Sequence, residues 1–407
     1  MLLIKFNIKL IQQRVINYIF TSKYKLKFFN MKLLTFFRNG ILKSSFALIL
    51  YVGTTQHAHA QGFYTTTTPP TTARPSLDKL RATLLDGNKN PGYVFLALHR
   101  AAWIDGTPEN SVVAVAKAAN NRNVDMIEID LKTSKDGKVY LMHDDYLQRT
   151  TNFLDMYPNT YGTGKDNYGK ASEYSWNELS SLRLKNEEKT YTNEKIPLLQ
   201  DAITIALGAG VFLQLDINDD ITFRQAMKVV QAANAFSVVM FKGNKTPKQF
   251  IPFFNLLTEA QKKQIIFAPF IKPDSTPDDA TTADPMKFYE QWETWRKANP
   301  AYTGVAGLYE MVFRTPADTN LFQVAQKIRA GGKRTGIFSA QPEYYKGRYI
   351  GNVNINQCCA NNPENDRRGD FDFILAPNNN KNAGINGYII TDEVTTFLEF
   401  FPNRIIQ

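Results

Sequence analysis

The chain has 407 residues, 43% apolar, 21% charged and 13% aromatic, which excludes disordered and collagen-like classes and suffices for one or two full cores. Its formal charge of +10 would suit a polyanionic partner, yet residues 1–60 hold nine basic side chains and no acidic one, leaving 39 basic against 38 acidic residues over the rest. A nucleic-acid binder carries its basic surplus on the folded domain, so nucleic acid is disfavoured.

From Met31 the sequence reads MKLLTFFRNGILKSSFALILYVGTTQHAHA: Lys32, Arg38 and Lys43 precede the apolar run 46–52, and Ala58-His59-Ala60 precedes Gln61. That is the basic, apolar and small-x-small order of a secretory signal peptide. The apolar run is well short of the ~20 residues of a membrane-spanning helix. Residues 1–60 are therefore expected to be a leader, with Met31 the true start, cleavage after Ala60, and export to a periplasmic or extracellular destination. A Thr/Pro-rich linker follows over 61–76, and the folded domain is expected over 77–407. The only cysteines are the neighbours Cys358 and Cys359. Their Cα spacing of ~3.8 Å falls under the disulfide window, so no disulfide framework or Cys-type zinc site is expected.

From residue 93 onward, short apolar runs rich in Val, Ile and Phe alternate with helical patterns, the mark of a parallel sheet. Strands are predicted over 93–98, 126–131, 139–142, 211–217, 237–241, 265–270, 307–313, 335–338 and 387–390. Helices are predicted over 109–121, 198–207, 221–235, 247–260, 285–298, 318–330 and 393–400. Nine strands compete for the eight places of a (β/α)8 TIM barrel, so one is expected to be an accessory strand or a misreading. A doubly wound sheet is the alternative, but no glycine-rich turn follows the first strand. Residues 157–194 and 344–386 read as long βα-loop insertions, placed where a barrel builds the mouth of its site.

Outside the leader the chain keeps only His99 and His143, each closing a predicted strand. A lone strand-end histidine is first read as structural. Two at equivalent barrel positions point instead to proton transfer, one ring delivering a proton and the other removing one. Glu128 and Asp130 stand two apart on a strand and share a face, while Ile127 and Ile129 take the other. Two such carboxylates repel unless a cation or a shared proton relieves them, and a hard, oxygen-liking ion, Mg²⁺ or Ca²⁺, is the natural occupant. Asp216, at the end of another apolar strand, is the expected third ligand, and no matching basic neighbours are expected around the three.

The segment from His99 to Asn152 resembles the N-terminal signature of the glycerophosphodiester phosphodiesterase family: HRA for HRG, then PEN, E-x-D, T-x-DG, HD and RTT in order and spacing. Weaker similarity continues at 196–199, 213–218 and 387–392. The resemblance implies a TIM barrel, His99 and His143 as acid and base, Arg100 beside the phosphate, and Glu128, Asp130 and Asp216 as ligands of one divalent cation. Glu109 reads equally as a site residue or as a first-turn acid favoured by the helix dipole. Ala101 departs from the family glycine, adding a methyl where the backbone is expected to near the phosphate. Asn218 replaces a common lysine, which removes a charge.

The expected activity is hydrolysis of a small-molecule glycerophosphodiester to glycerol 3-phosphate and an alcohol. One alternative is a phospholipase D-like or phosphatidylinositol-specific lyase on intact phospholipid, with a transient lipid surface as partner and Phe153, Tyr157, Tyr161, Tyr168 and Tyr174 as an apolar rim. The other is a non-catalytic binding module.

Overall fold

The computed structural model describes residues 74–104, 106–157, 169–313, 317–339, 344–345, 348–349, 386–392 and 394–406. The leader, Tyr161, Tyr168, Cys358 and Cys359 lie outside them. The described strands are β1 (Phe95–Leu98), β2 (Met126–Thr133), β3 (Val139–Leu141), β4 (Arg183–Lys185), β5 (Tyr191–Lys195), β6 (Phe212–Asp216), β7 (Val239–Gly243), β8 (Ile266–Ile271), β9 (Leu308–Met311), β10 (Arg334–Phe338), β11 (Tyr344–Tyr345), β12 (Arg348–Tyr349) and β13 (Tyr388–Thr391).

Strands β1, β2, β6, β7, β8, β9, β10 and β13 pair in parallel in that order, and β1 pairs with both β2 and β13, which closes an eight-stranded TIM barrel. Helices such as Val112–Asn120, Leu199–Ala209 and Asp220–Ala232 connect successive strands. The accessory strand is β3, which turns back antiparallel on β2, Leu131 facing Leu141 and Thr133 facing Val139. Contrary to the sequence expectation, His143 therefore does not end a barrel strand. It is delivered to the mouth by a hairpin in which β2 overshoots the rim and β3 returns, Met142 N–H donating to Asp130 O at 3.0 Å.

Period-two alternation sorts the side chains. Met126, Phe212, Met240, Ile266 and Leu308 fill the barrel interior, while Ile127, Ile129 and Leu131 face outward into the larger core under the helices. A third core, with Tyr140, Phe153, Leu182 and Leu184, lies beneath the loop after β3. Phe153 is buried there, its ring 5.0 Å from Tyr157 and 5.2 Å from Tyr174, so it forms no part of an exposed apolar rim.

Two helices depart from expectation for local reasons. The segment 247–260 is two helices, Pro247–Phe254 and Glu259–Gln264. Thr258 restarts the chain with a capping box: Gln261 N–H donates to its hydroxyl at 3.3 Å, and Thr258 N–H donates to the Gln261 side chain at 3.0 Å. The helix expected from Glu109 begins only at Val112, because Asn110 is left-handed at φ +54° and Ser111 is the cap, accepting from Ala114 N–H at 3.1 Å.

Candidate active site

On β2, Glu128 and Asp130 point into the barrel, and on β6 Asp216 lies directly beside Asp130 in register. One oxygen of each of the three lies within 4.8 Å of the others. Glu128 Oε2 accepts the Arg100 N–H at 3.0 Å, whereas Oε1 is buried and makes no hydrogen bond. Burial pushes the Glu128 carboxyl up to about 8, with Asp130 and Asp216 adding to the rise against the pull of Lys242. Asp130 goes the other way: burial would raise it, but His143, Arg100 and His99 outweigh burial and hold it down. Asn110 fixes it, donating from Nδ2 to Oδ2 at 2.8 Å and accepting its N–H at 3.0 Å. An all-carboxylate donor set, one buried oxygen of which makes no hydrogen bond, fits a hard divalent cation.

The acids do have basic neighbours, contrary to the sequence expectation. Lys242, the fourth residue of β7, places Nζ 3.0 Å from Asp216 and 3.4 Å from Glu128, and Arg100 Nε lies 3.5 Å from Asp130. Nothing in the local pattern at Lys242 announced this except its position at the C-terminal end of an apolar barrel strand.

Both histidines reach this centre, and each uses Nδ1 on a carboxylate. His99 Nδ1 is 3.1 Å from Asp392 Oδ1, which also accepts Trp103 Nε1–H at 2.7 Å. His143 Nδ1 is 2.7 Å from Asp144 Oδ1. An ionised carboxylate only accepts, so Nδ1 of each ring carries the proton, and Nε2 is the nitrogen of the neutral ring that can take one up. Asp392 and Asp144 lie inside the segment 387–392 and the HD motif, where the sequence assigned them no role.

Glu109 stands ahead of the helix that begins at Val112, so it is not a first-turn acid. Its carboxylate bridges Arg100 Nη1 at 3.2 Å and Arg149 at 2.6 and 2.8 Å, and Arg149 continues to Asp144. Burial would raise Glu109, but the two guanidinium groups hold it well below the usual carboxylate range. Burial and the neighbouring Glu109 would raise Asp144, but its hydrogen bonds with His143 and Arg149 and the Arg149 charge hold it low. Ala101 is left-handed at φ +65°, and its side chain joins the outer core, which places the extra methyl away from the carboxylates.

Residues 99–273 match the model of the glycerophosphoryl diester phosphodiesterase family. An uncharacterized protein, YqiK, of Bacillus subtilis is 25% identical over 134 residues, 32% of this chain and 49% of that one. Glycerophosphodiester phosphodiesterase 1 of Bos taurus is 30% identical over 125 residues, 29% of this chain and 32% of that one. The chain thus spans about half or less of the length of these curated relatives. A crystal structure of a glycerophosphoryl diester phosphodiesterase from Parabacteroides distasonis shares the fold with a TM-score of 0.54 and 21% identity, covering 80% of this chain and 92% of that one. The stretch that supplies His99, Glu128, Asp130, His143 and Asp216 is the stretch that is similar to the glycerophosphoryl diester phosphodiesterase family.

Proposed function

We propose that the protein is a metal-dependent phosphodiesterase that converts a glycerophosphodiester to glycerol 3-phosphate and an alcohol. The observation that carries this reading is the pairing of two imidazoles, each oriented by a carboxylate at Nδ1, with the acidic centre of Glu128, Asp130 and Asp216. One Mg²⁺ or Ca²⁺ ion held by those three acids would supply positive charge to the phosphoryl oxygens. Arg100 adds a guanidinium beside Asp130, able to engage the same oxygens.

Nε2 of one histidine takes the proton of the glycerol hydroxyl next to the phosphate, and that oxygen attacks phosphorus. Nε2 of the other protonates the departing alcohol as its P–O bond breaks. Water then opens the resulting cyclic ester to glycerol 3-phosphate. The internal hydroxyl is already oriented, which avoids the entropic cost of fixing a separate water.

The leader composition supports export after cleavage between Ala60 and Gln61, so that the enzyme scavenges phosphate or glycerol outside the cytoplasm. Product analysis on a panel of glycerophosphodiesters and intact phospholipids, with Mg²⁺ and with Ca²⁺, tests the activity. Release of glycerol 3-phosphate from the diesters is the expected result; turnover confined to intact lipids would replace this reading with the lyase, and no turnover would leave a binding module.

A further inference from the structure

Lys242 has no part in the reaction as described, yet it is the most enclosed cation of the site. Its side chain is 1% exposed, and its Nζ touches two of the three metal-centre acids, Asp216 at 3.0 Å and Glu128 at 3.4 Å. A lysine with only those partners would be a stand-in for the ion, free to swing away when the ion arrived. Lys242 is tied from another side. Its Nζ lies 3.3 Å from Glu310 Oε1 on β9, and Glu310 is itself fixed by the Tyr388 hydroxyl at 2.8 Å and Gln214 Nε2 at 3.1 Å. Glu310 is outside the metal centre, so it keeps the ammonium in place whether or not an ion is bound.

Two consequences follow from an ammonium that stays. It is a like charge next to a divalent ion that shares its carboxylates, so it must weaken ion binding. It is also a fixed positive charge at the barrel mouth: Nζ stands 5.5 Å from the Phe338 ring centroid, and the same ring meets His99 edge-on at 5.3 Å. Lys242 and His99 therefore both contact one ring, which brings the ammonium into the neighbourhood of the imidazole.

We propose that Lys242 is a phosphate-binding group of this site, held in place by Glu310, and that it lowers the affinity for the divalent ion while raising the affinity for the phosphoryl oxygens of diester and product. This deepens the phosphodiesterase reading and rests on it.

The two effects have opposite signs, which separates them from loss of structure. Lys242→Met alone leaves Glu310 buried without its cation and risks unfolding. The paired variant Lys242→Met/Glu310→Gln removes both charges, so Glu310 is not left without its cation, and a bound divalent ion would be the remaining counter-charge of Asp216 and Glu128. Calorimetric titration of wild type and both variants would use Mg²⁺ alone, Ca²⁺ alone, and glycerol 3-phosphate with the ion saturating. The paired variant should bind the ion about tenfold or more tightly and glycerol 3-phosphate about tenfold or more weakly. A fall in both affinities would make Lys242 a mere organiser of the carboxylates, and an unchanged glycerol 3-phosphate affinity would remove it from the phosphate site; either overturns the proposal while wild-type binding leaves the phosphodiesterase reading standing. Failure of the wild type to bind either ligand would remove both.

Discussion

His99 Nδ1 and Asp392 Oδ1 lie 3.1 Å apart although 293 residues separate them, joining the end of the first barrel strand to the end of the last. The closure of the barrel makes this contact, since β1 and β13 run side by side with Leu98 opposite Thr391. The carboxylate sets the tautomer of the ring, and the Trp103 indole sets the carboxylate.

Asp392→Asn should therefore act through His99. An amide can offer Nδ1 a donor in place of an acceptor and turn the wrong nitrogen toward the substrate. His99→Ala and His143→Ala should each lower kcat by roughly 10² to 10⁴, and Asp392→Asn should approach the His99 value with KM little changed. Because the rings serve one proton inventory, the double histidine variant should be little worse than the poorer single one. Steady-state kinetics across pH checks this; near-normal kcat in Asp392→Asn would reduce the contact to packing.

Chelation should abolish activity, and Mg²⁺ or Ca²⁺ should raise the melting temperature by mass action. Asp130→Asn should lose most of the thermal shift, because Asn110 already occupies Asp130 Oδ2 and the remaining oxygen is the one an amide converts to a donor or leaves weak. Equal ion-induced shifts in wild type and Asp130→Asn would move the metal centre elsewhere.

Much of this arrangement was legible in the sequence because it depends on local alternation. Glu128 and Asp130 between Ile127, Ile129 and Leu131 gave an inward acidic face, and short apolar runs alternating with helical patterns located all eight barrel strands. Residues that act across the barrel left no such trace. Lys242 reads locally as the polar end of an apolar strand, and only the neighbouring β6 shows that it meets Asp216. The positive charge absent at Asn218 is thus supplied from the adjoining strand. Asn110 was hidden for another reason: asparagine adopts a left-handed backbone more readily than most residues, but only the fold shows that this turn brings its amide onto Asp130. The role of β3 was ambiguous because a short hairpin strand and a short barrel strand share one pattern.

The ion network of Glu109, Asp144 and Arg149 fixes the acid limb of stability. Both carboxyls are held below their ordinary range, so the unfolded chain binds their protons more readily than the folded one. Their stabilising contribution is present above the unfolded pKa near 4 and is lost as pH falls toward the folded values. Wild type should lose stability steadily below about pH 5. Glu109→Gln should flatten that slope and, by leaving Arg100 and Arg149 short of a partner, destabilise at pH 7 by up to about 3 kcal/mol. Urea melts at a series of pH values test this, and parallel slopes for the two proteins would exclude Glu109 as the titrating group.

A substrate lacking the hydroxyl next to the phosphate separates internal attack from attack by water. Its phosphate is unchanged, so binding should survive, while the base loses the proton it would take and kcat should fall steeply. Glycerophosphoethanolamine and its 2-deoxyglycerol counterpart, compared at matched metal and pH, supply the measurement. Equal kcat values would mean that water attacks directly.

Ala101 tests whether the departure from the family's HRG motif matters to the substrate or only to the backbone. Its φ of +65° is a left-handed conformation that costs a non-glycine residue roughly 1 to 2 kcal/mol. Glycine would relieve that strain, but it would also give up about 0.4 to 1 kcal/mol through the freer unfolded chain. The lost methyl, 2% exposed and packed in the outer core, is worth about 0.8 kcal/mol more. These terms nearly cancel, so Ala101→Gly should leave the melting temperature almost unchanged. The turn itself is held by Arg100 N–H on Glu128 Oε2 and Ala101 N–H on Glu128 O, both at 3.0 Å, and neither bond involves the methyl. KM and kcat should accordingly stay within about twofold of wild type, since no transition-state contact is removed. Ala101→Val, by contrast, puts a β-branched side chain into the left-handed region and should destabilise the protein clearly. A KM for Ala101→Gly lowered tenfold or more would show instead that the methyl of Ala101 crowds the bound phosphate.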